Sequence, residues 1–365
     1  MTVPLFDTAT PLAPLRDAID AAIARVLDSG AYVLGPEVAA FEREFADYCG
    51  AAHAVGVANG TDALTIALTA MGVGPGDDVV VPSYTFYASA EAIPPTGARP
   101  VFCDVDPETS CVTPETVAAA LTPRTKAVIA VHLFGNVAPV KAIEALGVPV
   151  LEDAAQAAGS TTDDGRPGAL GTAATFSFFP SKNLGCFGDG GAITTNDDRI
   201  AEQCRMLRFH GSRDKTTFER VGWNSRLDEV QAAILRVQLP HLDDWADGRR
   251  AAAGHYRAAG LDEVVGLPRP VAGARPAWHL YMIRHREIER IASALRENGV
   301  GHKAYYRVPS HRQPAMAQWG AGVELPGTEE LARSALAIPM SPVLSAAQAA
   351  RATVAVREAL VHTAA

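Results

Sequence analysis

The stretch AVGVANGTDALTIALTAMGVGPGDDVVVP, residues 54–82, joins two short apolar runs through a segment whose apolar residues recur at helical spacing. Its GVGPGDD segment at 72–78 is a turn that leads into the second run. Short apolar runs continue to alternate with helical stretches up to about residue 195: RPVFCDV, KAVIAVHL, VPVLED, ATFSFF and GAITTN. This alternation predicts an α/β domain with a largely parallel sheet.

Helical patterns flank this region on both sides. Residues 15–29 carry an amphipathic pattern that stops at Gly30, and a second helix is expected at 36–49. A longer helical stretch covers 226–259 and contains Pro240, which should kink or divide it.

The C-terminal part no longer shows this regular alternation of strands and helices, which predicts a smaller α+β domain. We expect the large α/β domain with its N-terminal helices at 1–245 and the small domain at 246–365. The elements predicted within the small domain are strands at AWHLYMIRH and HKAYYR and helices at 286–298 and 345–361.

Composition excludes several functions. The 365 residues are 48% hydrophobic, which supports a sizeable core, and the formal net charge of −9 argues against nucleic acid as a partner. No apolar run has the length of a membrane span, and the N-terminus MTVPLFDTATPL lacks a signal-peptide layout, so we expect no membrane partner and a cytoplasmic location. Five cysteines without a C-x-x-C pair predict reduced, buried thiols. The histidines are not spaced as metal ligands, so no metal is expected.

The segment TFSFFPSKNLGCFGDGG, residues 175–191, places Lys182 between an apolar strand and a glycine-rich turn. Partial desolvation there would lower the pKa of the amine and make it a nucleophile toward an aldehyde. A structural lysine is the alternative.

Carboxylates follow an earlier strand in VPVLEDAAQAAG, where Asp153 lies 29 residues before Lys182. At the carboxyl end of a parallel strand, Asp153 could keep a pyridine nitrogen protonated. A helix N-cap is the competing interpretation.

Two further segments complete the pattern. Gly60 and Thr61 precede a helix whose N–H groups could hold a phosphate, and Ser177 could add a hydroxyl, although a capping turn looks the same in sequence. Phe86, in PSYTFYASAEA, could lie on a cofactor ring or pack in the core. Together the four elements predict a pyridoxal-phosphate site at the strand ends of one domain.

Nearly the whole chain resembles the DegT/DnrJ/EryC1/StrS family of sugar aminotransferases, which have the aspartate aminotransferase-like fold (fold type I). The segments that carry the resemblance are GAYVLGPEVAAFEREFADYCG, NGTDAL, PSYTF, PVFCDVDPET, LEDAAQA, SFFPSKNLGCFGDGGAITTNDD and GWNSRLDEVQAAIL.

The resemblance implies a role for individual residues. Lys182 would carry pyridoxal 5'-phosphate and shuttle the proton, and the pyridoxamine 5'-phosphate form would appear between half-reactions. Asp153 would pair with the pyridine nitrogen, and Gln156 would lie near the ring hydroxyl. The remaining cofactor residues would be Phe86, stacked on the ring, Gly60, Thr61 and Ser177 at the phosphate, and Asn224, reaching the phosphate of the neighbouring subunit in a homodimer with shared sites.

The resemblance also implies the substrates. An amino acid, glutamate by analogy, would donate the amino group to a nucleotide-linked keto-sugar, aminated at C3, with Tyr306 as a substrate contact. Arg226 could pair with a diphosphate or a sugar carboxylate, and a surface arginine at a helix start is the alternative. Residues 305–309 read Tyr-Tyr-Arg-Val-Pro where relatives often have His-Tyr-Pro-x-Pro, which leaves the nucleotide and the sugar open. A keto-cyclitol or another non-nucleotide ketone is the alternative acceptor, and a non-catalytic regulatory protein is the alternative of another class.

Overall fold

A computed structural model describes residues 2–361. Its α-helices are α1 Ala9–Leu12, α2 Arg16–Ser29, α3 Pro36–Cys49, α4 Gly60–Ala70, α5 Ala88–Glu91, α6 Pro114–Ala118, α7 Val140–Glu144, α8 Asp198–Leu207, α9 Glu229–Gln238, α10 Leu242–Ala258, α11 Ile288–Glu297, α12 Ala317–Gly320, α13 Pro326–Ser334 and α14 Ala346–Val361. Its strands are β1 His53–Val57, β2 Asp78–Pro82, β3 Arg99–Cys103, β4 Thr125–Val131, β5 Val150–Asp153, β6 Thr161–Thr162, β7 Ala173–Ser177, β8 Gly191–Thr195, β9 Ala274–Arg275, β10 Tyr281–Arg284 and β11 Ala335–Ile338.

A seven-stranded sheet forms the centre of the fold, in the order β1-β8-β7-β5-β4-β2-β3. Only β8 runs against its neighbours within this sheet, so the other strands share one direction. The strands are almost entirely buried and apolar, as expected for a sheet covered on both faces by helices. The predicted α/β architecture with a largely parallel sheet is confirmed.

The N-terminal and central helices also agree with the sequence patterns. Helix α2 ends at Gly30, whose φ of 67° lies in the left-handed region that glycine favours. Pro240 lies in a short 3-10 turn, Leu239–His241, which separates α9 from α10 and confirms the predicted division.

The C-terminal part differs from expectation in one segment. Residues 302–307 do not form a strand and make only an isolated bridge between Lys303 and Ala337. Strand β10 pairs with β11, a strand that the sequence patterns did not predict. Helix α10 continues across residues 245 and 246, and the proposed boundary between domains stays a prediction.

The cysteines agree with the expectation of reduced, buried thiols, because all five are buried and free. Among residues 2–361, no helix combines the length and the apolar character that crossing a bilayer requires.

A buried carboxylate ties α9 to the start of α3. The side chain of Glu229, 1% exposed, accepts hydrogen bonds from the backbone N–H groups of Gly35, Glu37 and Val38 at 2.7, 2.8 and 2.9 Å. These N–H groups surround a helix N-terminus, which has no carbonyl partners of its own and favours negative charge. The loop that precedes α9 is therefore fixed to the N-terminal helices.

Replacing Glu229 with alanine should lower the free energy of unfolding by about 3 kcal/mol, because it leaves buried N–H donors without an acceptor. Glu229→Gln, which retains one acceptor oxygen, should lose less. Urea unfolding followed by circular dichroism measures the change. The matched control is Glu297→Ala at the exposed end of α11, and an equal shift in both alanine variants would contradict the capping role.

Candidate active site

A cavity of about 680 Å³ opens where parallel strands of the sheet end. Val131, Asp153 and Ser177, the last residues of β4, β5 and β7, line it. Ligands of open α/β sheets bind at this carboxyl edge. The cavity brings together eight of the residues that sequence analysis selected: Gly60, Thr61, Phe86, Asp153, Gln156, Ser177, Lys182 and Tyr306.

Lys182 lies on the turn that follows β7, and its backbone N–H donates to the carbonyl of Phe179 at 2.8 Å. Desolvation lowers the pKa of the Lys182 amine from its ordinary 10.5 to about 8, and the nearby charge of Asp153 acts in the opposite direction. With this pKa roughly a tenth of the amine is uncharged at pH 7, far more than for a lysine of ordinary pKa, and the uncharged form is the nucleophile.

Asp153 ends β5 with its side chain only 5% exposed. Its Oδ2 accepts a hydrogen bond from the Ser89 hydroxyl at 2.7 Å, and its Oδ1 accepts one from the backbone N–H of Ala155 at 3.2 Å. Turns, not a helix, follow Asp153, so the N-cap interpretation is wrong. The carboxylate is oriented within the cavity and is available to a cationic group.

Gln156 connects two walls of the cavity. Its Oε1 accepts from the backbone N–H of Phe134 at 2.6 Å, and its Nε2 donates to the Tyr306 hydroxyl at 3.3 Å. The Tyr306 ring lies 6.2 Å from that of Phe134 and 6.3 Å from that of Phe86, which is 55% exposed. Burial raises the pKa of Tyr306 above its ordinary value, so its phenol stays neutral.

The start of α4 supplies hydrogen-bond donors. The side chain of Asn59 accepts from the backbone N–H of Asp62 at 2.8 Å, while the geometry of the first turn leaves the N–H groups of Gly60 and Thr61 without helical partners. Ser177 packs directly against them, since a Cβ at Gly60 would lie 2.8 Å from the Ser177 Cβ. Backbone donors and two hydroxyls thus converge at a helix N-terminus, which is a favourable seat for a phosphate.

Other cavity residues carry no local sequence signal. His279, 3% exposed, has a ring Nδ1 without a hydrogen-bond partner among the described residues. Burial, reinforced by the charges of Lys182 and Arg249, lowers its pKa well below the ordinary value, so the ring is neutral at pH 7. Ser89 and Lys303 were also not selected, because only the folded chain brings them to the site.

Two selected residues lie outside the cavity. Asn224 is exposed and Arg226 is half-buried, both on the loop before α9. Contacts of either residue with a ligand stay predictions. Among the described residues, no cluster of histidine, cysteine or carboxylate side chains has the composition of a metal site.

A mostly parallel sheet with a lysine of lowered pKa and a buried carboxylate in one strand-end cavity fits an α/β transferase of fold type I. The DegT/DnrJ/EryC1/StrS aminotransferase family model matches residues 14–357. The chain belongs to this family, whose cofactor is pyridoxal phosphate.

Individual relatives agree with this assignment. The chain is 47% identical to dTDP-3-amino-3,4,6-trideoxy-alpha-D-glucose transaminase of Streptomyces venezuelae, over 98% of this chain and 96% of the relative. It is 43% identical to UDP-N-acetyl-3-dehydro-alpha-D-glucosamine 3-aminotransferase of Acidithiobacillus ferrooxidans, over 98% of both chains. The crystal structure of S. venezuelae DesV in complex with a ketimine intermediate superposes with a TM-score of 0.94 at 46% identity, covering 98% of each chain.

The residues present fit pyridoxal phosphate. Gly60, Thr61 and Ser177 could hold a phosphate, and the place that a Cβ at Gly60 would fill is already occupied by Ser177. Asp153 supplies a carboxylate for a pyridinium nitrogen, and Lys182 supplies a nucleophile for an aldehyde.

The lowered pKa of Lys182 predicts an unusual pH dependence of its reactivity. In protein freed of cofactor, acetylation of Lys182 by acetic anhydride should be half-maximal near pH 8, because the free base forms above that pH. Competitive labelling read by mass spectrometry measures this titration. Lys126, exposed on β4, is the internal control for a lysine that the cavity does not desolvate. A shared midpoint would show that the cavity does not desolvate Lys182.

Proposed function

We propose that this protein transfers an amino group from glutamate to the C3 keto group of a nucleotide-linked sugar, with pyridoxal phosphate carried by Lys182. The observation that carries the proposal is the shared cavity of Lys182 and Asp153, one a partly desolvated amine and the other a buried carboxylate. This pair suits a cofactor that needs both a nucleophile and an acid-stabilised ring nitrogen.

The cofactor would be held at its two ends. The N–H groups of Gly60 and Thr61 and the hydroxyls of Thr61 and Ser177 would bind its phosphate, while Phe86 would cover its ring. When bound, pyridoxal phosphate supplies an electron sink, and it carries the amino group between the two half-reactions.

Lys182 and Asp153 would divide the proton chemistry between them. The Lys182 Nζ, with a pKa of about 8, can accept a proton from a substrate carbon and return it within one turnover. The Asp153 carboxylate, oriented by Ser89, would keep the ring nitrogen protonated. Gln156 and Tyr306, joined by their hydrogen bond, would orient the ring hydroxyl and the sugar.

The choice of acceptor rests on the relatives. The two enzymes described above aminate dTDP-linked and UDP-linked sugars, and both match almost the whole of this chain. Those two names differ in the nucleotide, so we propose the class of acceptor and leave the base open.

The second subunit would complete the site. We infer a cytoplasmic homodimer in which Asn224 reaches the phosphate of the neighbouring chain, with Arg226 as a further substrate contact. Apolar side chains that are exposed in the single chain support an interface, among them Tyr32 at 51%, Phe218 at 60% and Val221 at 92%.

Replacing Lys182 with alanine should remove the visible absorption of the bound cofactor and lower kcat by about 10³-fold or more, because the proton carrier is lost. Turnover is measured as 2-oxoglutarate formed from glutamate with three acceptors: a dTDP-linked keto-sugar, a UDP-linked keto-sugar and a free keto-cyclitol. Lys126→Ala is the matched control. Undiminished turnover in Lys182→Ala would contradict the role of Lys182. A preference for the cyclitol would show that the acceptor is not a nucleotide-linked sugar.

Replacing Gly60 with alanine should weaken cofactor binding by about tenfold, because the new Cβ would meet Ser177 at 2.8 Å and displace a phosphate donor. The dissociation constant is measured by titrating cofactor-free protein with pyridoxal phosphate. Gly74→Ala is the control, since no atom lies within 4 Å of a Cβ there. Equal affinities in the two variants would rule out this phosphate seat.

A further inference from the structure

We propose that Lys303, at the mouth of the cavity, binds the diphosphate of the nucleotide-linked acceptor. The inference rests on the proposed function and goes further, because it names the residue that recognises the anionic part of the substrate. It follows from the charges that line the cavity, from the side-chain environment of Lys303 and from its depth in the site.

The cavity needs a cation for such a substrate. Its charged lining residues are the acids Asp62, Asp153 and Asp189 and the bases Lys182 and Lys303. Because Lys182 would be committed to the cofactor, Lys303 is the remaining base in the lining. Without Lys303, the lining that one chain supplies would meet a diphosphate with acidic side chains and no free base.

Lys303 is free to take this role. Its side chain is exposed, and its ammonium makes no ion pair within residues 2–361. Its Nζ lies over the Tyr305 ring, whose centroid is 5.1 Å away. A cation over an aromatic face keeps its positive charge available for an anion.

Arg307, the other base of this segment, is already occupied. Its guanidinium pairs with Glu289 and donates to the carbonyl oxygens of Ala332 and Arg333. Arg307 is also absent from the cavity lining. Of the two, Lys303 is therefore the base that can reach a ligand.

The burial of the lining residues indicates how the substrate is oriented in the cavity. Lys303 is exposed, Tyr305 and Tyr306 are half-buried, and Asp153 is 5% exposed. Consecutive aromatic rings link these levels, with 5.4 Å between the centroids of Tyr305 and Tyr306. The reacting ketone must reach Lys182, so the diphosphate, attached at C1 two ring positions away, extends from the sugar toward the exposed part of the lining, where Lys303 lies.

The backbone holds Lys303 in place. Its N–H donates to the carbonyl of Ala337 at 3.2 Å, and its carbonyl accepts from the N–H of Ala337 at 2.9 Å. Ala337 is fully buried within β11. A fixed Cα and a flexible, exposed ammonium suit a site that must admit and release a charged substrate.

Binding tests the proposal without turnover. Calorimetric titration of the holoenzyme with UDP and with dTDP should give a dissociation constant about tenfold higher in Lys303→Met than in the wild type. Lys303→Arg, which keeps the charge, should stay within about twofold of the wild type. Lys126→Met, at the opposite end of β4 from the cavity, is the control and should bind as the wild type does. Unchanged diphosphate affinity in Lys303→Met would overturn the proposal.

Kinetics separate this inference from the proposed function. Lys303→Met should raise KM for the nucleotide-linked keto-sugar, leave kcat within about twofold and leave the glutamate half-reaction unchanged. An equal loss in the glutamate half-reaction would show that Lys303 contacts the donor, which contradicts the inference alone. Wild-type enzyme that binds neither diphosphate and aminates no nucleotide-linked sugar would overturn the proposed function, and the role of Lys303 with it.

Discussion

The active site depends on the close approach of three parts of the chain: the start of α4, the end of β7 and the start of β8. Gly60 has no room for a Cβ beside Ser177, and Gly191 has none beside the backbone of Asn59, where a Cβ would lie 2.6 Å from the carbonyl carbon. The approach places free N–H groups of a helix next to the turn that carries Lys182. Phosphate recognition and the reactive amine therefore share one rigid support, with the buried carboxylate of Asp153 at the end of the adjacent strand β5.

The sequence predicted the parts of the structure that local patterns determine. The apolar periodicity, together with Gly30 and Pro240, predicted the helices α2, α9 and α10. The positions of Lys182 and Asp153 after predicted strands indicated that both are site residues. The sequence did not predict β11, because four apolar residues after α13, two of them alanines, look like more helix. Residues 302–307 have a strand-like composition, but their one bridge, from Lys303 to Ala337 of β11, does not extend into a strand. His279 and Lys303 reach the cavity through tertiary packing, for which a single sequence carries no signal.

The electrostatics of the cavity follow from burial more than from charge pairs. Desolvation lowers the pKa of Lys182 and that of His279, so two nitrogen bases stay partly or fully uncharged beside the Asp153 carboxylate. A chain of net charge −9 can still accept an anionic substrate, because helix N–H groups and a few lysines act locally while distant surface charges are screened.

The pairing of Lys303 with Ala337 uses main-chain atoms alone. The fold consequently places little demand on the side chain at this position, which lies at the mouth of the cavity and belongs to none of the residues that would hold the cofactor. A substitution there can alter which molecules enter without loosening the scaffold or the catalytic apparatus. Such a position allows substrate range to diversify through single point changes, both in natural divergence and in directed evolution toward other amino sugars.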